Sequence, residues 1–101
     1  MAGSVTNAQM NGVPEQYSLA QNYPNPFNPE TTIGYAIPKE SKVVLQVFNM
    51  LGECVATLEN RIRKPGFYEV SFHAGGLGSG VYIYRIRAGD FAASKKLLLL
   101  K

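Results

Sequence analysis

Short runs of alternating apolar and polar residues fill most of this chain, and each run ends in residues that favour turns. Runs of this kind, recurring every 8 to 12 residues, are typical of an all-β sandwich or barrel. The reason is that successive side chains of a strand point to opposite faces, so alternation gives one buried face and one exposed face. No segment shows the apolar stripe of a sustained helix. The pattern therefore predicts an all-β domain.

Seven strands are expected when a short first strand is counted. They cover residues 17–20, 31–37, 42–49, 53–58, 66–72, 81–88 and 91–100. Strand 42–49 is apolar on both faces, which predicts a central strand covered on both sides. The segment 61–66 contains Pro65-Gly66 and is expected to be a connection. Together these strands predict an immunoglobulin-like, two-sheet antiparallel β-sandwich.

The length of 101 residues, with 46% hydrophobic content, suits one domain. Residues 1–16 are small, polar and without period, and we expect a disordered tail or linker remnant there. The folded domain is expected to cover residues 17–101. The longest apolar run, 97–100, is far shorter than the roughly 20 residues that a bilayer requires, so no membrane insertion is expected.

Side chains that carry chemistry are few. Cys54, His73 and Asp90 are the only residues of their types and fall in unrelated places. One cysteine cannot form an intramolecular disulfide, and one histidine with one cysteine cannot supply three metal ligands. A Ser-His triad of the kind that contains aspartate would need Asp90 to lie beside His73, and both residues fall in predicted turns at unrelated places. We therefore expect no enzyme, no cofactor and no metal site.

Charge is distributed unevenly, with a net −3 over residues 1–60 and +6 over residues 61–101. A solvated strand face, an acidic partner and an anionic glycan surface each account for such a basic segment. Nucleic acid binding is not expected, because strand 81–88 places Tyr82 and Tyr84 on the face opposite Arg85 and Arg87. Stacking platforms for bases need aromatic rings and positive charge on the same surface.

The segment 21–35, QNYPNPFNPETTIGY, contains three prolines and three asparagines within eight residues. Pro26 and Pro29 match the spacing of a polyproline recognition motif. However, each asparagine-proline pair also favours a turn and removes a backbone donor. We predict a structural corner that presses the ring of Phe27 into the end of the sandwich. The corner consists of Pro24, Asn25, Pro26, Phe27, Asn28 and Pro29.

Five stretches, taken in order, resemble one family. They are LAQNYPNPFNPETTIGYAIP, VVLQVFNMLGECVATL, GFYEV, GLGSGVYIYRI and SKKLLLLK. Together they resemble the type A C-terminal sorting domain of the type IX secretion system, which is in turn similar to the immunoglobulin-like domain of flagellar hook-capping proteins. The family's terminal motifs match Gly80, Val81, Tyr82, Gly89, Lys95, Lys96 and Lys101. Two interpretations stay open for these residues: a recognition signal, or turn glycines and lysines that protect an edge strand from aggregation.

The resemblance implies a delivery signal at the end of a secreted cargo protein of Bacteroidota-type bacteria. Such a cargo crosses the inner membrane, folds in the periplasm and is recognised by an outer-membrane translocon. A surface transpeptidase then removes the domain, here expected within or before residues 1–16. Two other functions remain open: an assembly scaffold like that of hook-capping proteins, and a carbohydrate-binding module that uses Phe67 or Tyr23.

Overall fold

The computed structural model describes residues 12–101, which form seven strands and no helix. The strands are β1 Ser18–Leu19, β2 Glu30–Ile37, β3 Ser41–Phe48, β4 Cys54–Arg63, β5 Gly66–His73, β6 Gly80–Ala88 and β7 Phe91–Leu99. The predicted all-β class and the number of strands are confirmed. Of the predicted tail, residues 1–11 lie outside the described residues, and in the remainder Pro14 is buried.

Two antiparallel sheets form the sandwich. One has the order β1-β2-β5 and the other the order β4-β3-β6-β7. The second order corresponds to the C′-C-F-G sheet of immunoglobulin-like domains. Hairpins β3-β4 and β6-β7 stay within the second sheet, whereas the chain changes sheets between β2 and β3, between β4 and β5, and between β5 and β6. As a result, β7 lies at an edge of the four-stranded sheet.

The core lies between the sheets and takes alternate residues from each strand, as the sequence pattern predicts. Tyr84, Ile33, Ile37, Leu45, Ile86, Leu97, Leu99, Val43 and Val47 are its largest fully buried apolar side chains. Complete burial of one such side chain stabilises the fold by about 1.5–3 kcal/mol relative to an exposed position. The two sheets are therefore held together mainly by these interleaved apolar side chains.

Two details differ from the expectation. β4 continues to Arg63 and pairs with β3 as far as Ser41, so the predicted connection 61–66 shortens to the turn at Lys64 and Pro65. β3 is central, as predicted, but no second sheet covers its outer face among the described residues, where Val44 and Phe48 are half-buried. Within residues 12–101 there is no helix of a length and apolarity that could cross a membrane.

Candidate functional site

The hairpin of β6 and β7 carries six of the seven residues that match the terminal motifs. Its pairing runs without a register shift from Gly80 opposite Leu99 to Ala88 opposite Phe91. Gly80 begins β6 and Gly89 forms the turn at the other end, which places them roughly 30 Å apart at the rise of an extended strand. The matching residues are therefore spread along the hairpin, and the fold does not gather them into one cluster.

Gly89 occupies a position that requires glycine. Its φ of 57° lies in the left-handed region, and a β-carbon there would lie 3.1 Å from the hydroxyl oxygen of Tyr17. Tyr17 in turn stacks on Phe91, with ring centroids 5.2 Å apart. The glycine therefore permits the β6-β7 turn and its close packing against the start of the domain.

The neighbouring lysines of β7 point to opposite faces of the sheet. Lys95 pairs with the buried Tyr84 and is half-buried, whereas Lys96 pairs with Ile83 and is exposed. Val81 and Tyr82 alternate in the same way, with Val81 40% exposed and Tyr82 buried. Lys95 and Lys96 therefore do not form one continuous basic patch.

Lys101 is bound to the glycine-rich loop that precedes β6. Its backbone N–H donates a hydrogen bond to Ser79 Oγ at 2.9 Å, and its Nζ donates to the carbonyl of Gly75 at 2.7 Å. The last residue of the chain is thus held against the sandwich. Its ammonium group lies away from Lys95 and Lys96, beyond the far end of β7.

The proline-rich segment closes part of the β7 edge. The N–H of Phe27 donates to the carbonyl of Leu98 at 3.0 Å, and the N–H of Leu100 donates to the carbonyl of Phe27 at 3.0 Å. Asn25 Oδ1 accepts a hydrogen bond from the N–H of Leu98 at 2.9 Å. Backbone groups that would otherwise be open to solvent or to another strand are therefore satisfied.

Gln21 extends this closure, because its Nε2 donates to the carbonyl of Lys96 at 2.7 Å. We call Gln21, Asn25 and Phe27 the edge clamp. Outward backbone groups alternate along an antiparallel edge strand, so Ala92 and Ser94 present theirs in the same direction as Lys96 and Leu98. Among the described residues, no hydrogen bond covers the outward groups of Ala92 and Ser94. The edge is thus closed towards the C-terminus and open before it.

Phe27 anchors the clamp in the core. Its side chain is 3% exposed, which confirms the predicted burial, and its ring lies 6.0 Å from that of Phe72 at 51°. Pro26 and Asn28 on either side are exposed. The segment therefore turns one aromatic ring inward while its neighbours remain in solvent. The peptide bonds before Pro24, Pro26 and Pro29 are cis.

A buried polar network holds the base of this segment. Asn22 Nδ2 donates to Thr31 Oγ1 at 3.0 Å, and Thr31 Oγ1 donates to the carbonyl of Pro24 at 2.8 Å. From the opposite sheet, the hydroxyl of Tyr84 donates to the carbonyl of Ala20 at 2.6 Å and accepts from the N–H of Asn22 at 2.8 Å. Burial raises the pKa of Tyr84 to about 12. Sequence reasoning placed Tyr84 inward but missed the hydroxyl's partners.

A buried carboxylate that the sequence did not reveal lies on β4. Glu59 is 5% exposed, and its Oε2 accepts a hydrogen bond from Arg63 Nη2 at 2.8 Å. The guanidinium of Arg63 lies 4.6 Å from the ring centroid of Tyr68, which stacks on Tyr35. The pKa of Tyr35 is raised above its ordinary value, mainly by burial and secondly by the negative charge of the nearby Glu59. The ion pair of Glu59 and Arg63 thus belongs to the four-stranded sheet and packs against aromatic rings of the three-stranded sheet.

The side chains that could carry chemistry are distributed over separate elements. Cys54 begins β4, His73 ends β5 and Asp90 lies in the β6-β7 turn, and all three are exposed. Within residues 12–101 there is no group of three histidine, cysteine or acidic residues that could hold a metal ion. What the arrangement does offer is an edge strand with an open stretch, two lysines and a clamp.

Comparison with known proteins identifies a family. The model of a family described as "Secretion system C-terminal sorting domain" matches residues 21–100. The matched range begins at Gln21 in the edge clamp and includes all of β7. No curated protein matches the chain.

Proposed function

The chain belongs to the family of type IX secretion system C-terminal sorting domains, and from this premise we propose that it directs an N-terminally fused cargo protein across the outer membrane to the cell surface. The family is not a catalytic one, and membership implies a secreted or cell-surface protein. The single observation that carries the proposal is the family match over residues 21–100. The cargo passes through the periplasm, where the folded domain meets the translocon.

Within this proposal, the outer-membrane translocon recognises the open stretch of the β7 edge at Ala92 and Ser94. Ala92 and Ser94 present backbone donors and acceptors to which a partner strand can add. The charges of Lys95 and Lys96 flank the same stretch on either face of the sheet. Gly80, Val81, Tyr82, Gly89 and Lys101 then act by holding the hairpin in place. The edge clamp prevents the strand beyond Lys96 from pairing nonspecifically.

A surface transpeptidase completes the proposed sequence by removing the domain from its cargo. Residues 1–16 would have to enter its cleft as an extended backbone. Gly12 and Val13 are exposed. Mass spectrometry of the released cargo would locate the cut, and a cut within β2–β7 would contradict this part of the proposal.

Export is tested by fusing the full 101-residue chain behind a signal peptide and a folded reporter in a type IX-competent host. Reporter on the surface or in the medium is the expected result. Retention of the unaltered fusion in the periplasm would contradict the proposed function. A translocon-deficient strain supplies the matched control, because export there would show a different route.

The role of the open edge is tested by Ser94→Pro with Ser94→Ala as its control. Proline removes the outward N–H of residue 94 without breaking a bond to β6, because that residue's backbone groups face away from β6. We expect S94P to fold but to stay in the periplasm, while S94A is exported. Export of a folded S94P fusion at the level of S94A would contradict edge recognition and leave the sorting function standing.

A further inference from the structure

The outer face of the four-stranded sheet, which points away from the core, combines positive charge with an apolar surface. In its register Phe48 lies opposite Ile83, Gln46 opposite Arg85 and Val44 opposite Arg87. Directly opposed residues of an antiparallel pair share a face. Arg85 and Arg87 are exposed, so both guanidinium groups stand on this face beside a row formed by Val44, Gln46 and Phe48. The exposed Lys96 lies opposite Ile83 and adds a third positive charge to the same face.

A depression of about 430 Å³ adjoins the arginines. It is lined by Phe48, Asn49, Met50, Gly52, Ile83, Arg85 and Ser94. Met50 is 63% exposed, which makes this side chain available for contact. We call this depression together with Arg85 and Arg87 the outer basic face.

Neither arginine is neutralised within the described part of the chain. Both ion pairs among residues 12–101 belong to Glu59, with Arg61 and Arg63 as its partners. The guanidinium of Arg85 lies 5.3 Å from the ring centroid of Phe48, at the rim of the depression. This contact orients the group while leaving its N–H donors for a carboxylate. The two positive charges thus lack an internal partner.

We propose that the outer basic face binds an extended acidic protein segment that carries one bulky apolar side chain. Arg85 and Arg87 are two residues apart on one strand, or roughly 6.8 Å. An extended segment repeats at the same spacing, so carboxylates at alternate positions meet both guanidinium groups in the bidentate geometry that arginine favours. The side chain two positions further along the bound segment points the same way, so it lies above Ile83 and enters the depression.

The apolar depression distinguishes this partner from other polyanions. A sulfated or phosphorylated glycan would contact the arginines and leave Phe48, Met50 and Ile83 in water. Anionic lipid headgroups present phosphates at the membrane surface and would likewise leave these three side chains without an apolar contact. The combination of paired cations with an apolar hollow therefore favours a peptide. This binding is independent of export, because it requires only the folded domain.

The test uses the full purified chain and two fluorescent peptides of sequence Glu-Ser-Glu-Ser-Phe and its reverse. Fluorescence anisotropy is expected to show binding of at least one peptide, weakened by salt. The double variant Arg85→Glu/Arg87→Glu is expected to lower affinity roughly tenfold or more. Lys39→Glu/Lys64→Glu changes the net charge equally, in turns outside the face, and is expected to change affinity less than about twofold.

Two further arms address folding and the apolar contribution. Arg85→Gln/Arg87→Gln removes both charges with a smaller perturbation, and circular dichroism confirms folding of each variant. A peptide with serine in place of phenylalanine is expected to bind several-fold more weakly. Equal losses in the two charge-reversal variants, or no binding of either peptide, would overturn the proposal. Binding to phosphatidylglycerol vesicles without peptide binding would assign the face to membranes and overturn it as well.

Discussion

The N–H of Phe27 donates a hydrogen bond to the carbonyl of Leu98 at 3.0 Å and thereby joins the proline-rich segment to the last strand. The side chain of Phe27 is buried against Phe72 at the same point. One residue therefore fixes both the position of the segment and the end of β7. Stability of the C-terminal strand and burial of this ring should change together.

Truncation of this ring tests that coupling. We expect Phe27→Ala to lower the free energy of unfolding by about 3–5 kcal/mol, because it removes a buried aromatic ring and leaves a cavity. Denaturant unfolding followed by circular dichroism measures the loss. Tyr23→Ala is the matched control, since Tyr23 is 81% exposed in the same segment, and should change stability by less than about 0.5 kcal/mol. Similar losses in both variants would contradict the anchoring role.

The side chain of Asn25 should protect one amide of β7. Asn25→Ala removes the acceptor of the Leu98 N–H, and we expect a loss of about 0.5–1.5 kcal/mol. Hydrogen exchange should show faster exchange at Leu98, while Leu97, which faces β6, changes little. Asn28→Ala is the control, because the side chain of Asn28 forms no hydrogen bond within the described residues. Unchanged exchange at Leu98 would show that the bond adds nothing.

Local alternation allowed the sequence to predict most of the fold. Tyr82, Tyr84 and Ile86 lie inward and Arg85 and Arg87 outward because period-two patterning reports which face is buried. Phe27 was predictable as well, since it is the one large apolar residue between two asparagine-proline pairs. In these places the information lies within a few residues of the position it determines.

Long-range partners could not be predicted in this way. The clamp joins Asn25 and Phe27 to Leu98, and no local pattern encodes which edge the proline-rich segment covers. The burial of Glu59 could not be predicted, because register shifts in the β3-β4 pair change which β4 residues face inward. Arg63 was placed in a connection because Pro65-Gly66 follows closely. Such features depend on strand register and on the order of strands in each sheet, and a local sequence pattern does not determine either.

The pair of the buried Glu59 and the half-buried Arg63 should show strong coupling. We expect Arg63→Met to destabilise the domain by about 1.5–3 kcal/mol, because it removes the hydrogen bond that the buried carboxylate accepts from Arg63 and leaves Glu59 with only the exposed Arg61 as an ionic partner. The double variant Glu59→Leu/Arg63→Met should recover most of that loss, which denaturant unfolding of the full double-mutant cycle measures. Arg61→Ala serves as the control, since its side chain is 64% exposed, and should have little effect. Additive losses would contradict the coupling.

The hydroxyl of Tyr84 should matter more than that of its neighbour on the same face. Tyr84→Phe leaves the Ala20 carbonyl and the Asn22 N–H without their buried partner, and we expect a loss of about 1–3 kcal/mol at neutral pH. Tyr82→Phe is the matched control, because its hydroxyl makes one part-buried bond, to the carbonyl of Gly78. A loss in Y82F equal to that in Y84F would contradict this ranking.

Alkaline pH should destabilise the domain through Tyr84. Its folded-state pKa of about 12 exceeds the ordinary value of 10.0, because burial disfavours the phenolate. The stabilising contribution of the neutral hydroxyl is therefore complete below pH 10 and is lost as pH rises towards 12. This loss lowers the free energy of unfolding by about 2 kcal/mol at pH 12. Between pH 9 and pH 12, the free energy of unfolding should decline less in Tyr84→Phe than in the unaltered chain, as measured by denaturant unfolding. The other tyrosines and the lysines are present in both proteins, so their titration does not affect the difference. Parallel declines would show that Tyr84 does not titrate with a raised pKa.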